Sequence, residues 1–267
     1  MARKRYKSRI WGEYLQRFTP IFYMREKVFR FKQFAVRNDR SAMKVGTDGV
    51  LLGAWCNVNG ARRVLDVGTG TGLIALMVAQ RNAEAVIDAV EIDADACEEA
   101  RENFEASPWR ERLRVIHSDF LEITAEGGSS GLEEYDLIVS NPPYFTEDTT
   151  SDDRRRATAR HTRVALTYSA LIASACPLLA DGGRICLISP VEREAEILCA
   201  ASESGLRVAR RLTVYPKPGA AAKRMLWELG RGGDFEPQES ELTIETLVHN
   251  DYTPDYIALT RDFYLKM

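Results

Sequence analysis

Few ten-residue stretches restrict a fold as tightly as Asp136-Leu137-Ile138-Val139-Ser140-Asn141-Pro142-Pro143-Tyr144-Phe145. Its apolar run is too short for a helix and is bounded by turn residues, so it reads as a buried parallel strand. The strand must stop abruptly. Two prolines can neither continue a hydrogen-bonded ladder nor enter a helix interior, and Pro142 pushes Asn141 toward an extended backbone. A rigid ledge is therefore expected at the carboxyl end of a strand, where open α/β sheets bind ligands. It offers the Asn141 amide, the Pro142 carbonyl, Pro143 and the rings of Tyr144 and Phe145. That set suits a flat amino-bearing group such as adenine, held by its edge and its face. The plain alternative is a proline-stiffened loop whose aromatic packs back on the core, and the rest of the chain weighs against it.

Strands and helices alternate along most of the sequence. Arg63–Val67 reads as a strand, Leu73–Arg81 as a helix, Val86–Asp93 as a strand and Ala94–Ser107 as a helix. Leu113–Ile116, the strand before the ledge, a helix over Ala165–Leu179 stopped by Asp181-Gly182-Gly183, strand Arg184–Ser189, helix Glu192–Ser204 and strands near Val208–Tyr215 and Met225–Leu229 follow. This pattern implies a doubly wound, Rossmann-like sheet, seven-stranded and mostly parallel, with helices on both faces. The loop Pro216–Arg224 is too short for a helix, so one strand of the last pair is antiparallel. Residues 1–43 read as a basic extension containing a hairpin in VFRFKQFAV, residues 44–231 as the main domain, and residues 232–267 as a tail packing through Tyr252, Tyr256, Phe263 and Tyr264.

The first strand runs into Asp66-Val67-Gly68-Thr69-Gly70-Thr71-Gly72. Gly68, Gly70 and Gly72 permit positive φ and let a ligand lie against bare backbone. Their spacing is G-x-G-x-G, unlike the dinucleotide G-x-G-x-x-G. Glu91 ends the next strand, where an acid can chelate two ribose hydroxyls. Asp119, followed by Phe120, ends the third and is placed to accept from an adenine amino group. Asp66 would repel a pyrophosphate and attract a cation. A nucleoside with a cationic tail and no phosphate fits, and S-adenosyl-L-methionine is such a molecule, leaving S-adenosyl-L-homocysteine as product. Asp93 and Asp95 are assigned to a helix start. Lys44-Val45-Gly46-Thr47-Asp48 leads into the apolar helix Gly49–Cys56, with Thr47 or Asp48 read as its cap and ligand contact as the alternative.

The chemistry follows from the ledge. An aromatic amine is a poor nucleophile because its lone pair is delocalised into the ring. Asn141 and the Pro142 carbonyl can accept its two N–H groups, and Tyr144 and Phe145 can stack the base. Catalysis would then be positioning and electrostatics, with no strong base. An adenine inside a helix cannot reach such a slot, so the target must be unpaired or flipped out.

Bulk properties bound the partners. The net charge is −3, yet the first forty residues hold about a dozen Lys and Arg with interleaved aromatics such as Trp11 and Tyr14. A solvated face is the plain reading and a phosphate-backbone surface the sharper one. No apolar stretch approaches the roughly 18 residues of a membrane span, so no membrane partner is expected. Cys56, Cys97, Cys176, Cys186 and Cys199 show no C-x-x-C spacing, which suggests buried free thiols in a reducing cytoplasm and no metal. A monomer is expected.

DVGTGTG, VEID, SDF and NPPY, in this order, resemble the class I adenine- and glutamine-N methyltransferases over roughly residues 44–230. Three further stretches are similar to one family among them, the bacterial tRNA methyltransferases that make N6-methyladenine beside the anticodon of a valine tRNA. They are FRFKQFAVRNDRSAMKVGTDGVLLGAW, the loop holding Ala159-Arg160-His161, and the ending Asp262–Met267. The resemblance implies methylation of adenine-37 of that tRNA. It places Lys44, Thr47 and Asp48 at the cofactor's methionine end and makes Arg154, Arg155, Arg156, Arg160 and Arg163 candidates for tRNA contact. His161 in that loop reads as RNA contact or gating, since the reaction needs no base. The competing readings are a glutamine methyltransferase of release factors, which shares the ledge, and a non-catalytic RNA-binding protein on the same fold.

Overall fold

The computed structural model describes residues 28–41, 43–125, 134–143, 166–232 and 236–266. Strands β3 (Arg63–Val67), β4 (Val86–Glu91), β5 (Leu113–His117), β6 (Tyr135–Ser140), β7 (Leu179–Pro190), β8 (Leu206–Tyr215), β9 (Arg224–Arg231) and β10 (Gln238–Thr243) form one sheet in the order β10-β8-β9-β7-β6-β3-β4-β5. Only β9 runs against its neighbours, β7 and β8. From β3 the chain adds β4 and β5 on one side, then returns to build β6 and β7 on the other. The switch point of the sheet therefore lies between β3 and β6, the two strands that end in the glycine turn and in Asn-Pro-Pro.

Both faces of the sheet are buried, and strand periodicity sorts the side chains between them. Val64, Ile87, Ala89, Leu137 and Val139 face helices α1 (Thr47–Trp55), α2 (Leu73–Arg81) and α3 (Ala94–Glu105). Leu65, Val67, Val90 and Ile138 face α4 (Phe120–Ala125), α5 (Tyr168–Ala175) and α6 (Glu194–Glu203). The same alternation puts Asp66 on the face of Val64, under the start of α2.

Three expectations change. The sheet has an eighth strand, because β10 from the tail pairs parallel with β8 at the edge. Its sequence QESELT is largely exposed and carries no apolar alternation to betray it. The long helix over 165–179 is α5 alone within the described residues, followed by a short 3₁₀ turn at Cys176–Leu178. Asp181-Gly182-Gly183 is a bulge inside β7 rather than a helix stop, with φ +74° at Gly182 and a register slip opposite Tyr135 and Leu137. A Cβ on Gly183 would stand 2.8 Å from the Tyr135 carbonyl oxygen, so the close approach needs glycine.

The hairpin expected near residue 30 is present as β1 (Val28–Arg30) and β2 (Ala35–Arg37). It joins the tail. The Lys32 N–H donates to the Phe263 carbonyl at 2.8 Å, and the Phe31 ring stacks on Phe34 with centroids 4.6 Å apart. Tyr256 of α7 (Pro254–Thr260) and Phe263 are buried in the core, as expected, while Tyr252 and Tyr264 are half-buried. Four cysteines are buried; Cys199 is exposed, on the outer side of α6. Among the described residues no helix is long and apolar enough to cross a membrane.

Candidate active site

The glycine turn is held from beneath by Asp66, which is fully buried. Its Oδ2 accepts from the Thr69 hydroxyl at 2.7 Å and from the Ala75 N–H at 3.2 Å, tying the turn to the first turn of α2. Its Oδ1 is buried with no hydrogen-bond partner among the described residues. Burial pushes this carboxyl up to about 7, the Thr69 and Ala75 bonds opposing only in part. Gly68 and Gly72 have φ of +69° and +82°. A Cβ at Gly72 would strike the Phe104 ring at 2.4 Å, whereas at Gly68 it would meet nothing within 4 Å. Gly72 is thus a packing requirement, while Gly68 opens onto free space. A bare backbone cradle beside an orphaned carboxylate oxygen fits a ligand that approaches closely and carries a donor or a positive charge.

Glu91 and Asp119 sit at the ends of β4 and β5, as expected, and both also serve the backbone. Glu91 Oε2 accepts from the Gly70 N–H (2.8 Å), and Oε1 from the N–H groups of Ile92 (2.9 Å) and Asp93 (3.0 Å). A carboxylate has about four acceptor positions, so about one is left for a ligand. Asp119 Oδ1 accepts from the Leu121 N–H at 2.9 Å and caps α4. Phe120 is buried in the core beside Val67 and Val90 rather than presented to the cleft. Asp93 caps α3, accepting from the Ala96 N–H at 2.9 Å, which matches its assignment to a helix start.

The ledge stands next to this turn. Ser140 pairs with Val67, and its hydroxyl donates to the Val67 carbonyl at 2.8 Å. Asn141 is half-buried and follows directly; Pro142 is buried and Pro143 exposed. The Asn141 Nδ2 lies 3.8 Å from the sulfur of Met43, an exposed residue, in a weak contact. Tyr144, Phe145, Arg154, Arg155, Arg156, Arg160, His161 and Arg163 lie outside the described residues.

Sequence reasoning missed the strip that bridges turn and ledge. Ser41, buried, points its Oγ to within 3.7 Å of where a Gly70 Cβ would be, and Met43 reaches Asn141. Glu99 of α3, fully buried, fixes this strip by accepting from the N–H groups of Asp39 (2.6 Å), Arg40 (2.9 Å) and Ser41 (2.9 Å). One turn on, the Asn103 amide donates to the carbonyls of Arg37 (3.0 Å) and Thr71 (2.8 Å). The available signal was spacing. Glu99 and Asn103 fall on the buried stripe of α3 defined by Ala96, Ala100 and Phe104, where unpartnered polar residues would be costly.

Lys44, Thr47 and Asp48 continue the strip, and the capping role does not hold. Gly46 is the N-cap of α1, with no side-chain cap bond. Asp48 instead pairs with Arg224, at the end of the Pro216–Arg224 loop, at 2.8 Å. Lys44 is exposed and donates to the Ser41 carbonyl at 2.9 Å. Thr47 is exposed at the first turn of α1.

Comparison with known proteins identifies the family. Residues 41–201 match the methyltransferase small domain, which implies a methyl donor of the S-adenosylmethionine type. A tRNA1(Val) (adenine(37)-N6)-methyltransferase of Tolumonas auensis is 47% identical over 240 residues, spanning 90% of this chain and 97% of the relative. A protein of the same name from Trichodesmium erythraeum is 46% identical, over 89% and 98%. Among solved structures, a predicted O-methyltransferase from Agrobacterium tumefaciens superimposes with a TM-score of 0.63 over 81% of this chain and 96% of its own. At 23% identity it shares the fold. The chain belongs to the tRNA1(Val) (adenine(37)-N6)-methyltransferase family.

Proposed function

We propose that this protein methylates the exocyclic N6 of the unpaired adenine at position 37 of a valine tRNA, using S-adenosyl-L-methionine. The observation that carries the reading is adjacency: the Asn141 ledge and the glycine turn terminate neighbouring strands at the switch point, with Met43 against the ledge and Ser41 against the turn. The cofactor supplies an electrophilic methyl group on a sulfonium centre. Gly68 receives it on bare backbone, Asp66 offers its free oxygen toward the cationic end, and the remaining acceptor position of Glu91 suits a ribose hydroxyl. On the family resemblance Lys44, Thr47 and Asp48 would border the same end, Asp48 while paired with Arg224.

The protein's task at the nucleophile is to free a lone pair. The Asn141 amide oxygen accepts one N–H of the adenine amine and the Pro142 carbonyl accepts the other, which favours a pyramidal nitrogen. Proline at 142 and 143 fixes both acceptors before the substrate arrives, so little reorganisation is left for the reaction. Tyr144 and Phe145 stack the base, and the arginines of the loop at 154–163, with His161, contact the tRNA backbone. The amine proton becomes acidic once the methyl has moved and leaves to water. The relatives' names favour adenine over a glutamine carboxamide on this ledge.

The test is direct. Full-length protein, cofactor and an unmodified valine tRNA transcript are incubated, and the RNA is digested and mapped by mass spectrometry. One methyl group on adenine-37, abolished when that base is guanine, is the expected result; methylation of another base or of none refutes the proposal.

A further inference from the structure

Beside the start of α1 lies a concavity that shares Thr47 with the proposed cofactor end and whose other walls take no part in the methyl transfer. Its volume is about 760 Å³, within the range of about 300–1,000 Å³ typical of small-molecule sites. Its walls come from four distant parts of the chain: Phe29 and Arg30 of the hairpin, Val45–Thr47 before and at the start of α1, Pro216 after β8, and tail residues between Ile244 and Lys266. The aromatic rings are grouped. Tyr252 and Tyr256 lie 5.2 Å apart, and the Phe29 ring meets Tyr264 edge-on at 6.1 Å. Tyr256 is buried and supports the floor, while Phe29, Tyr252 and Tyr264 keep part of their surface open. Two cations, Arg30 and Lys266, are exposed on the wall, together with one half-buried acid, Glu245.

Its position makes it relevant to the substrate. Met43 touches Asn141, and four residues later Thr47 lines the cavity, a path of at most about 14 Å even if fully extended. Open aromatic faces with cations beside them are what an unstacked base and its phosphate require, and base stacking on such rings tolerates any sequence. A membrane surface would need an apolar protrusion instead of a hollow.

We infer that this cavity is a nucleotide subsite. It stacks one unpaired base flanking the methylated adenine against Tyr252 and Tyr264, with Arg30 and Lys266 on the adjoining phosphates. The inference deepens the proposed function and rests on it for the identity of the RNA. It also gives the aromatic residues of the tail a task in substrate grip.

Two experiments on the full chain decide it. In the first, RNA affinity is measured by fluorescence anisotropy with an anticodon hairpin, for the wild type, for Arg30→Glu combined with Lys266→Glu, and for Tyr252→Leu. The expected result is about tenfold weaker binding in each variant, and a salt slope shallower by about two in the double variant. Cofactor affinity and kcat at saturating RNA should stay within about twofold. Wild-type RNA affinity in all variants overturns the subsite. The second uses unaltered protein, so misfolding cannot confuse it: 4-thiouridine placed beside the target adenine is photo-crosslinked and the peptide identified. Crosslinks to residues 29–30, 45–47 or 244–266 support the subsite, and crosslinks to none of these overturn it. Should the wild type transfer no methyl group to the hairpin, the catalytic reading fails, while the crosslink map still decides the cavity.

Discussion

Burial holds the Asp66 carboxyl at about 7 against an ordinary 3.8, because its charged form is desolvated and its two hydrogen bonds compensate only partly. Between these values the folded chain binds a proton that the unfolded chain has lost. Its contribution to stability therefore falls as pH rises from about 4 to about 7. Urea midpoints of the ligand-free protein measured across this range should show that decline, and Asp66→Asn should flatten it. Affinity for a cationic cofactor should rise over the same interval in the wild type only, as read by calorimetry. Asn141 makes a separate prediction. Asn141→Ala removes one of the two acceptors and should lower kcat by at least about 100-fold with cofactor affinity nearly unchanged, measured by single-turnover methylation; a wild-type rate would remove Asn141 from the mechanism. These residues were legible because glycine, proline and acids at strand ends have few structural uses. The misreading of Thr47 and Asp48 has an equally physical origin. A capping side chain and an ion-pairing one look alike until a partner from far along the chain, here Arg224, comes into place.

At the level of elements, α3 ties the N-terminal strip to the glycine turn through two polar side chains on its buried stripe. Glu99→Ala leaves three backbone donors, at Asp39, Arg40 and Ser41, without their acceptor. A loss of about 1–3 kcal/mol is expected in chemical unfolding, together with weaker cofactor binding, since the strip borders the Gly70 turn. Glu99→Gln keeps an acceptor and should lose less on both measures; equal losses would reduce Glu99 to a packing residue. Helix α2, an unbroken apolar run opened by the glycine turn and ended at Arg81, was readable to the residue. The bulge at Asp181–Gly183 was not, because Asp-Gly-Gly after an apolar stretch serves a helix end and a strand kink equally well. Edge strand β10 was invisible for a related reason: an exposed strand needs no apolar pattern, and its existence depends on the open edge of β8.

For the molecule as a whole, the tail is a structural member of the sheet and of the core. A chain ended after Arg231 would lose β10 together with the buried side chains of Leu242, Tyr256 and Phe263. At about 1.5–3 kcal/mol each, their burial is comparable with the net stability of an ordinary domain. Such a truncation should lower the thermal midpoint by at least about 10 °C in a calorimetric scan; an unchanged midpoint would make the tail dispensable. The placement of β9 has a consequence for biosynthesis. It lies between β7 and β8 in space but is translated after both. Until residues 224–231 leave the ribosome, Leu206–Tyr215 has no neighbour to dock on, and the flank of β7 stays open to any passing strand. The growing polypeptide thus reaches the last fifth of its length with its central layer split, and quality control must shelter it until one late insertion closes the gap.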